Sequence, residues 1–165
     1  MQILKEKSRA KSQITFDEDF NVPDAKPDAG RLIQNKGRII MDDVRLTDGK
    51  GILTGNLQVD ILYVGEERGI VSSLTAKLPF EETLNLKNII NGDKMCLKWE
   101  IEDLTIRLIH SRKLNIKALV TFCATVDETE QIRLPVALDA EEVSVRKKTV
   151  RFLGLTVHKK DTLRI

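Results

Sequence analysis

The chain offers few side chains that are suited to proton transfer near neutral pH. It contains two histidines, His110 and His158, and each follows an alternating apolar stretch and lies beside basic residues. A general base or acid needs a positioned Ser, Cys or carboxylate partner within hydrogen-bond reach. No recognisable spacing supplies such a partner to either histidine. We therefore predict that neither histidine is catalytic and that the protein is not an enzyme.

Metal and cofactor chemistry has equally little support. Cys96 and Cys123 are the only cysteines, too few and too isolated for a zinc site or a disulfide framework, and we predict ordinary strand residues. Acidic residues cluster at 17–19, 66–67, 81–82 and 127–130. These clusters lack the spacing of a calcium loop, and no glycine-rich nucleotide motif is present. We expect no metal, no cofactor and no catalytic residue, and the sequence leaves the binding residues undetermined.

Charge excludes some classes of partner. Lys and Arg total 27 against 25 Asp and Glu, for a net charge of +2, and the basic residues are scattered along the chain. A nucleic-acid site needs clustered positive charge, so no nucleic-acid partner is expected. The first residues lack the apolar core of a signal peptide, and no apolar run could span a bilayer. We expect a soluble, cytosolic protein.

Apolar residues recur with a period of two along most of the chain, which predicts strands with one face in a core. The strand at 52–63 places Leu53, Leu57, Val59, Ile61 and Tyr63 on that face. The strand at 70–80 places Ile70, Leu74, Ala76, Leu78 and Phe80 there. A strand at 37–46 joins them through the hairpin signal Asp48-Gly49. Residues 36–83 therefore predict a three-stranded meander.

The next apolar stretch, 95–109, changes phase. Its apolar residues are first odd (Met95, Leu97, Trp99, Ile101) and then even (Leu104, Ile106, Leu108). A one-residue slip would expose half of them, so we expect a bulge near Glu102-Asp103. Strands at 114–126 and 147–157 follow, the second with a bend at Leu153-Gly154.

These apolar faces must pack on one another, because isolated hairpins are unstable. We predict an all-β fold, an antiparallel β-sandwich of about eight strands with short helical turns at 28–34 and 138–143. Six of the seven aromatic residues fall on the apolar phase of a strand: Phe16, Tyr63, Phe80, Trp99, Phe122 and Phe152. Few rings remain for stacking on sugars, but Trp99 or Tyr63 on an open face would favour a ligand-binding module.

Pro23 and Pro27 interrupt the segment 21–33. Proline lacks a backbone donor, so this segment cannot be a central strand. We interpret it as a rigid linker, with a binding role as the alternative.

Three stretches together carry a family resemblance: "VPDAKPDAGRLI" at 22–33, "DGKGILTGNLQVDILYVG" at 48–65 and "GIVSSLTAKLPFEETLNL" at 69–86. In this order they resemble the SPOCS domain of spore-coat assembly proteins of the SipL type, over roughly residues 12–157. The resemblance implies a non-enzymatic scaffold in the mother-cell cytoplasm, at the forespore surface or spore coat. It implies protein partners, among them a SpoIVA-type morphogenetic ATPase.

The two ends of the chain share a short pattern. Lys11, Ile14 and Phe16 align with Lys160, Leu163 and Ile165. SPOCS domains commonly occur in tandem, so the resemblance implies one domain at 1–158 and the start of a following copy at 159–165. We hypothesise that the segments 11–20 and 159–165 mediate self-association, with a homo-oligomer as the result. The alternative is a β-sandwich that binds a glycan or peptide of the spore envelope.

Overall fold

The computed structural model describes residues 2–67, 69–90, 93–131 and 133. All the strands below lie in the compact unit formed by residues 1–132. The strand predicted at 147–157, the helical turn at 138–143 and the segment 159–165 lie outside the described residues.

The described residues form six strands in two antiparallel sheets. The strands are β1 (Gln2–Asn21), β2 (Ala29–Thr47), β3 (Lys50–Gly65), β4 (Val71–Asn85), β5 (Met95–His110) and β6 (Lys113–Gln131). The strand order is β1-β6-β5 in one sheet and β2-β3-β4 in the other. The all-β prediction is confirmed, whereas the count of eight strands is not, because these ranges hold six.

The helical turn predicted at 28–34 is wrong. β2 starts at Ala29, which pairs with Gly65 of β3, and the strand continues to Thr47. The segment is too short to form a helix alone, and pairing with β3 supplies the backbone hydrogen bonds that one helical turn would leave unmade.

The predicted meander is confirmed as β2-β3-β4. Thr47 pairs with Lys50 across the two-residue turn at Asp48-Gly49, where Gly49 has a φ of 78°. Gly69 in the loop between β3 and β4 has a φ of 62°. Positive φ is cheap for glycine, which explains why the turns fall at these two residues.

The two sheets pack face to face over one core. The central strands supply its fully buried side chains: Leu53, Leu57, Val59, Ile61 and Tyr63 from β3, and Leu114, Ile116, Val120, Phe122, Ala124 and Val126 from β6. Aromatic rings join the sheets, since Phe80 of β4 lies 5.3 Å from Phe122 and 6.2 Å from Phe16 of β1. Each such ring buries a large apolar area.

The bulge predicted in β5 is confirmed. Ile101 pairs with Val120 and Asp103 with Leu119, so Glu102 is the extra residue. The prediction for Ile70 is wrong, because its side chain is 53% exposed. Ile70 precedes β4, where the loop has not yet brought the chain over the core.

Candidate interaction surfaces

Arg112 holds the proline-containing loop at 22–28 against the turn between β5 and β6. Its guanidinium donates four hydrogen bonds of 2.9 to 3.1 Å, to Val22 O, Asp24 Oδ1, Lys26 O and Asp28 Oδ1. The hydrogen bond to Asp28 is the main cause that raises the pKa of Arg112 above its ordinary value. A planar guanidinium with several fixed donors suits such a set of acceptors.

Backbone hydrogen bonds anchor both ends of this loop. Val22 N donates to Arg112 O at 2.9 Å and Ala29 N donates to Ser111 O at 2.7 Å. Between them, Tyr63 Oη donates to Pro27 O at 2.9 Å. The loop is therefore fixed to the turn of one sheet and to a core residue of the other, as its interpretation as a rigid linker requires.

Next to this loop lies an acidic hollow of about 600 Å³, lined by Pro27, Asp28, Glu66 and Glu67. The backbone holds its shape, because Glu66 N donates to Asp28 O at 2.8 Å. Across the part of the chain that the structure describes, no three Asp, Glu, His or Cys side chains converge as metal ligands would.

The outer face of the β2-β3-β4 sheet carries a shallow depression of about 290 Å³ around Asp60. The Asp60 carboxylate accepts from Thr75 Oγ1 at 2.8 Å and from Gln58 Nε2 at 3.1 Å, and it pairs with Arg38. These donors, Thr75 first, lower the pKa of Asp60 below its ordinary value. The carboxylate is thus a paired surface ion, not a proton acceptor poised near neutral pH.

The outer face of β1 is divided by charge. Arg9 and Lys11 lie toward the start of the strand and Asp17 and Asp19 toward its end, all on the face away from the core. Lys117 Nζ donates to Asp17 at 2.8 Å, and this hydrogen bond is the main cause that lowers the pKa of Asp17.

Asp19, two residues further along β1, also pairs with a lysine of β6. Lys113 Nζ lies 2.8 Å from its carboxylate and is the main cause that lowers the pKa of Asp19. Asn115 Nδ2 donates to both carboxylates, at 2.9 Å to Asp17 and 3.1 Å to Asp19. Three side chains of β6 therefore hold the carboxylates of Asp17 and Asp19 in place.

β1 also has a regular edge. From Ser8 to Asn21 it pairs with β6 without a register shift, and within the described sheets its other edge has no neighbouring strand. The other edge strands are less regular, because β2 has three register shifts, β5 has two and β4 contains Pro79. Bulges and prolines on edges hinder pairing with another chain.

Tyr63 and Trp99 differ in exposure. Tyr63 is fully buried, whereas Trp99 is 45% exposed. The placement of Trp99 in the core is therefore only partly right. Trp99 pairs with Phe122 of the central strand, but β5 is an edge strand, so the ring has a neighbouring strand on one side only.

The described residues include one of the two histidines and both cysteines. His110 is exposed at the end of β5, and its Nδ1 accepts from Arg112 N at 3.2 Å, while His158 lies outside the described residues. Cys96 and Cys123 lie in strands, as predicted, and are free thiols. Their pairing positions place both on the outer face of the β1-β6-β5 sheet.

Sequence reasoning missed Arg112. Arg112 lies in the stretch "HSRK" at 110–113, and nothing in this local sequence indicates that the arginine reaches a loop more than 80 residues earlier. No residue pattern could have found this contact, because the antiparallel packing of distant strands creates it.

Together these features define an all-β domain of two small antiparallel sheets with its distinctive polar groups on the surface. Residues 28–109 match the family described as "SipL, SPOCS domain". This match confirms, over that segment, the resemblance to the SPOCS domain seen in the sequence. The match runs from Asp28, held by Arg112, to Ile109 in β5.

The SPOCS domain of SipL is a non-catalytic family, and it indicates a sporulation-related role. No curated protein and no solved structure matches the chain. Where the structure describes the chain, no helix has the length and hydropathy needed to cross a membrane.

Proposed function

We propose that the protein is a non-enzymatic interaction module in the assembly of the spore coat or spore envelope. The family match over residues 28–109 is the observation that carries the proposal. Its site of action would be the mother-cell cytoplasm at the forespore surface, and its partners would be coat morphogenetic proteins, including a SpoIVA-type ATPase.

The surface supports a function based on protein contacts. β1 presents a regular edge, and backbone groups along such an edge can pair with another strand. Large apolar side chains are also exposed on the edge strands β2 and β5. Val44 on β2 is 42% exposed and Trp99 on β5 is 45% exposed. A module that binds proteins needs no convergent reactive groups, only surfaces of this kind.

The proposal is tested with the purified full chain as bait. We expect it to retain a purified SpoIVA-type ATPase, and to retain coat proteins from lysates of sporulating cells but not of vegetative cells. A matched control is the same full chain denatured by heat before it is coupled as bait, which should retain neither. Absence of ATPase binding together with equal capture from both lysates would contradict the proposal.

Trp99 favours a second candidate, a module that binds a glycan or peptide of the spore envelope. Its ring is half-exposed, and sugars stack on such rings. Against this, Tyr63, Phe80 and Phe122 are buried, so these three rings form no aromatic platform around Trp99 in the described part of the chain. Titration of the chain with envelope fragments, followed by the fluorescence of its single tryptophan, separates the two candidates.

A further inference from the structure

Between Ser8 and Asn21, the charges on the outer face of β1 are antisymmetric about Ile14. Read along the strand, the outward residues are Arg9, Lys11, Gln13, Thr15, Asp17 and Asp19. Two cations, two neutral residues and two anions follow one another. An antiparallel copy of the same strand presents this order reversed.

We propose that two copies of this chain pair antiparallel through the free edges of β1, with the two-fold axis at Ile14. The pairing joins the two β1-β6-β5 sheets into one six-stranded sheet. This inference rests on the proposed function, because it names a second copy as one partner. It pairs the segment 11–20 with itself instead of with 159–165.

In this register every charged residue on the outer face between Ser8 and Asn21 meets its opposite, while Arg9 also pairs with Glu6 of its own strand. Residues whose numbers sum to 28 lie opposite each other, so Arg9 faces Asp19 of the second copy and Lys11 faces Asp17. The two-fold axis repeats both pairs, for four in all. Opposite charges directly across an antiparallel pair are stabilising, and like charges are destabilising.

Neighbouring registers of the β1 pairing form fewer ion pairs. Successive side chains alternate between faces, so only shifts by two residues keep both outer faces on the same side. Centred on residue 13, the pairing keeps only the contact of Arg9 with Asp17, and centred on residue 15 it keeps only that of Lys11 with Asp19. The Ile14 register doubles the number of ion pairs.

The Ile14 register also uses nearly all of the regular edge. It pairs Ser8 with Phe20, and the stretch without a register shift runs from Ser8 to Asn21. On the core side it brings the half-buried Ile14 side chains of the two copies together. The bulge between Glu6 and Ser8 limits the pairing at its ends.

Each acidic residue would then lie between two cations. Asp17 already accepts from Lys117 of β6, and Lys11 of the second copy would approach from the other side. Asp19 would lie between Lys113 and the second Arg9. A carboxylate has two oxygens and several lone pairs, so it accommodates both donors.

The test measures self-association of the full chain by analytical ultracentrifugation. We expect a concentration-dependent dimer that weakens as salt increases, because salt screens exposed ion pairs. The double variant Arg9→Asp with Lys11→Asp places like charges opposite each other and should raise the dissociation constant by at least about tenfold. The variant Asp17→Lys with Asp19→Lys should do the same.

Mixing the two variants gives the decisive measurement. One strand is then entirely acidic and the other entirely basic, so a heterodimer should form with roughly wild-type affinity. The matched control for the Arg9 and Lys11 variant is Lys98→Asp with Arg107→Asp on the outer face of β5, which makes the same change in net charge on the opposite edge of the same sheet. It should leave the dimer intact. Circular dichroism checks that each variant folds.

Three results would overturn the inference: a full chain that stays monomeric at every attainable concentration, a dimer weakened equally by the β5 control, or no heterodimer on mixing. In a monomer, slow exchange of those β1 amides that point away from β6 would show that another part of the same chain covers the edge. A monomer that still retains the ATPase would overturn the β1 pairing alone and leave the proposed function standing.

Discussion

At the scale of single residues, the contacts between Phe16, Phe80 and Phe122 join the two sheets. Alternation in the sequence predicts each ring on a core face, and the structure confirms it with rings that are 0 to 8% exposed. Phe122 is the innermost ring, on the central strand β6, and its neighbours belong to both sheets. Its packing is therefore a direct measure of how the sheets hold together.

We expect Phe122→Ala to lower the free energy of unfolding by about 3–5 kcal/mol, because it removes a buried ring and leaves a cavity that neighbouring strands cannot close. Urea unfolding followed by circular dichroism measures the change. The control is Ile40→Ala on the outer face of β2, where the side chain is 39% exposed and the expected change is within about 0.5 kcal/mol. Equal losses in the two variants would show that the sheets do not share the core described above.

At the scale of elements, the turn between β5 and β6 is the support of the loop at 22–28. Arg112 supplies the side-chain hydrogen bonds and the backbone of Ser111 and Arg112 the rest. The loop leads directly into β2, the first strand of the segment that matches the SPOCS family. Order in this loop thus depends on a turn that follows it by more than 80 residues.

We expect Arg112→Lys to speed hydrogen exchange of the amides in 22–29 while the core strands keep their protection. Lysine retains the charge but cannot present several fixed donors to separate acceptors. Hydrogen exchange with mass spectrometry measures the effect, and Arg107→Lys, exposed on the same strand pair, is the control. Unchanged exchange in the loop would mean that the backbone hydrogen bonds suffice.

At the scale of the whole molecule, carboxylates with lowered pKa values link the strands of the β1-β6-β5 sheet and join β1 to the segment before β5. Lys7 Nζ donates to Asp93 at 2.8 Å, with both side chains only 16% exposed, and this contact is the main cause that lowers the pKa of Asp93. The pKa of Glu102 is also lowered, mainly by its hydrogen bond with Thr121. Asp17 and Asp19 add two further groups.

Because these four carboxylates have lowered pKa values in the folded state, the stability of the protein should decrease at acid pH. A carboxylate whose pKa is lower in the folded state stabilises the protein above its unfolded pKa, and the effect is lost as pH falls through the folded pKa. We expect the urea midpoint to be flat from about pH 8 to 5 and to fall below about pH 4. Asp93→Asn should lower the midpoint at neutral pH, and its difference from wild type should vanish in acid. A constant difference at every pH would contradict the role of the Lys7–Asp93 pair.

Much of the fold follows from local sequence. The two-residue period placed the core faces of β3, β4 and β6, Asp48-Gly49 placed a turn, and the phase change in 95–109 placed the bulge. Each of these signals is local, since adjacent side chains on a strand point to opposite faces whatever lies beside the strand. The same reasoning failed at Ile70 and in part at Trp99, where exposure depends on neighbours distant in the chain.

The sequence by itself determined which residues prefer the core, where the chain turns and which family the segment 28–109 matches. Only the tertiary structure decided that β1 lies at an edge beside β6, that β5 leaves Trp99 half-exposed and that Arg112 reaches the loop at 22–28. The physical reason is that strand order comes from hydrogen bonds between segments about 100 residues apart. Alternation records which face of a strand is buried, and it carries no information about which strand pairs beside it.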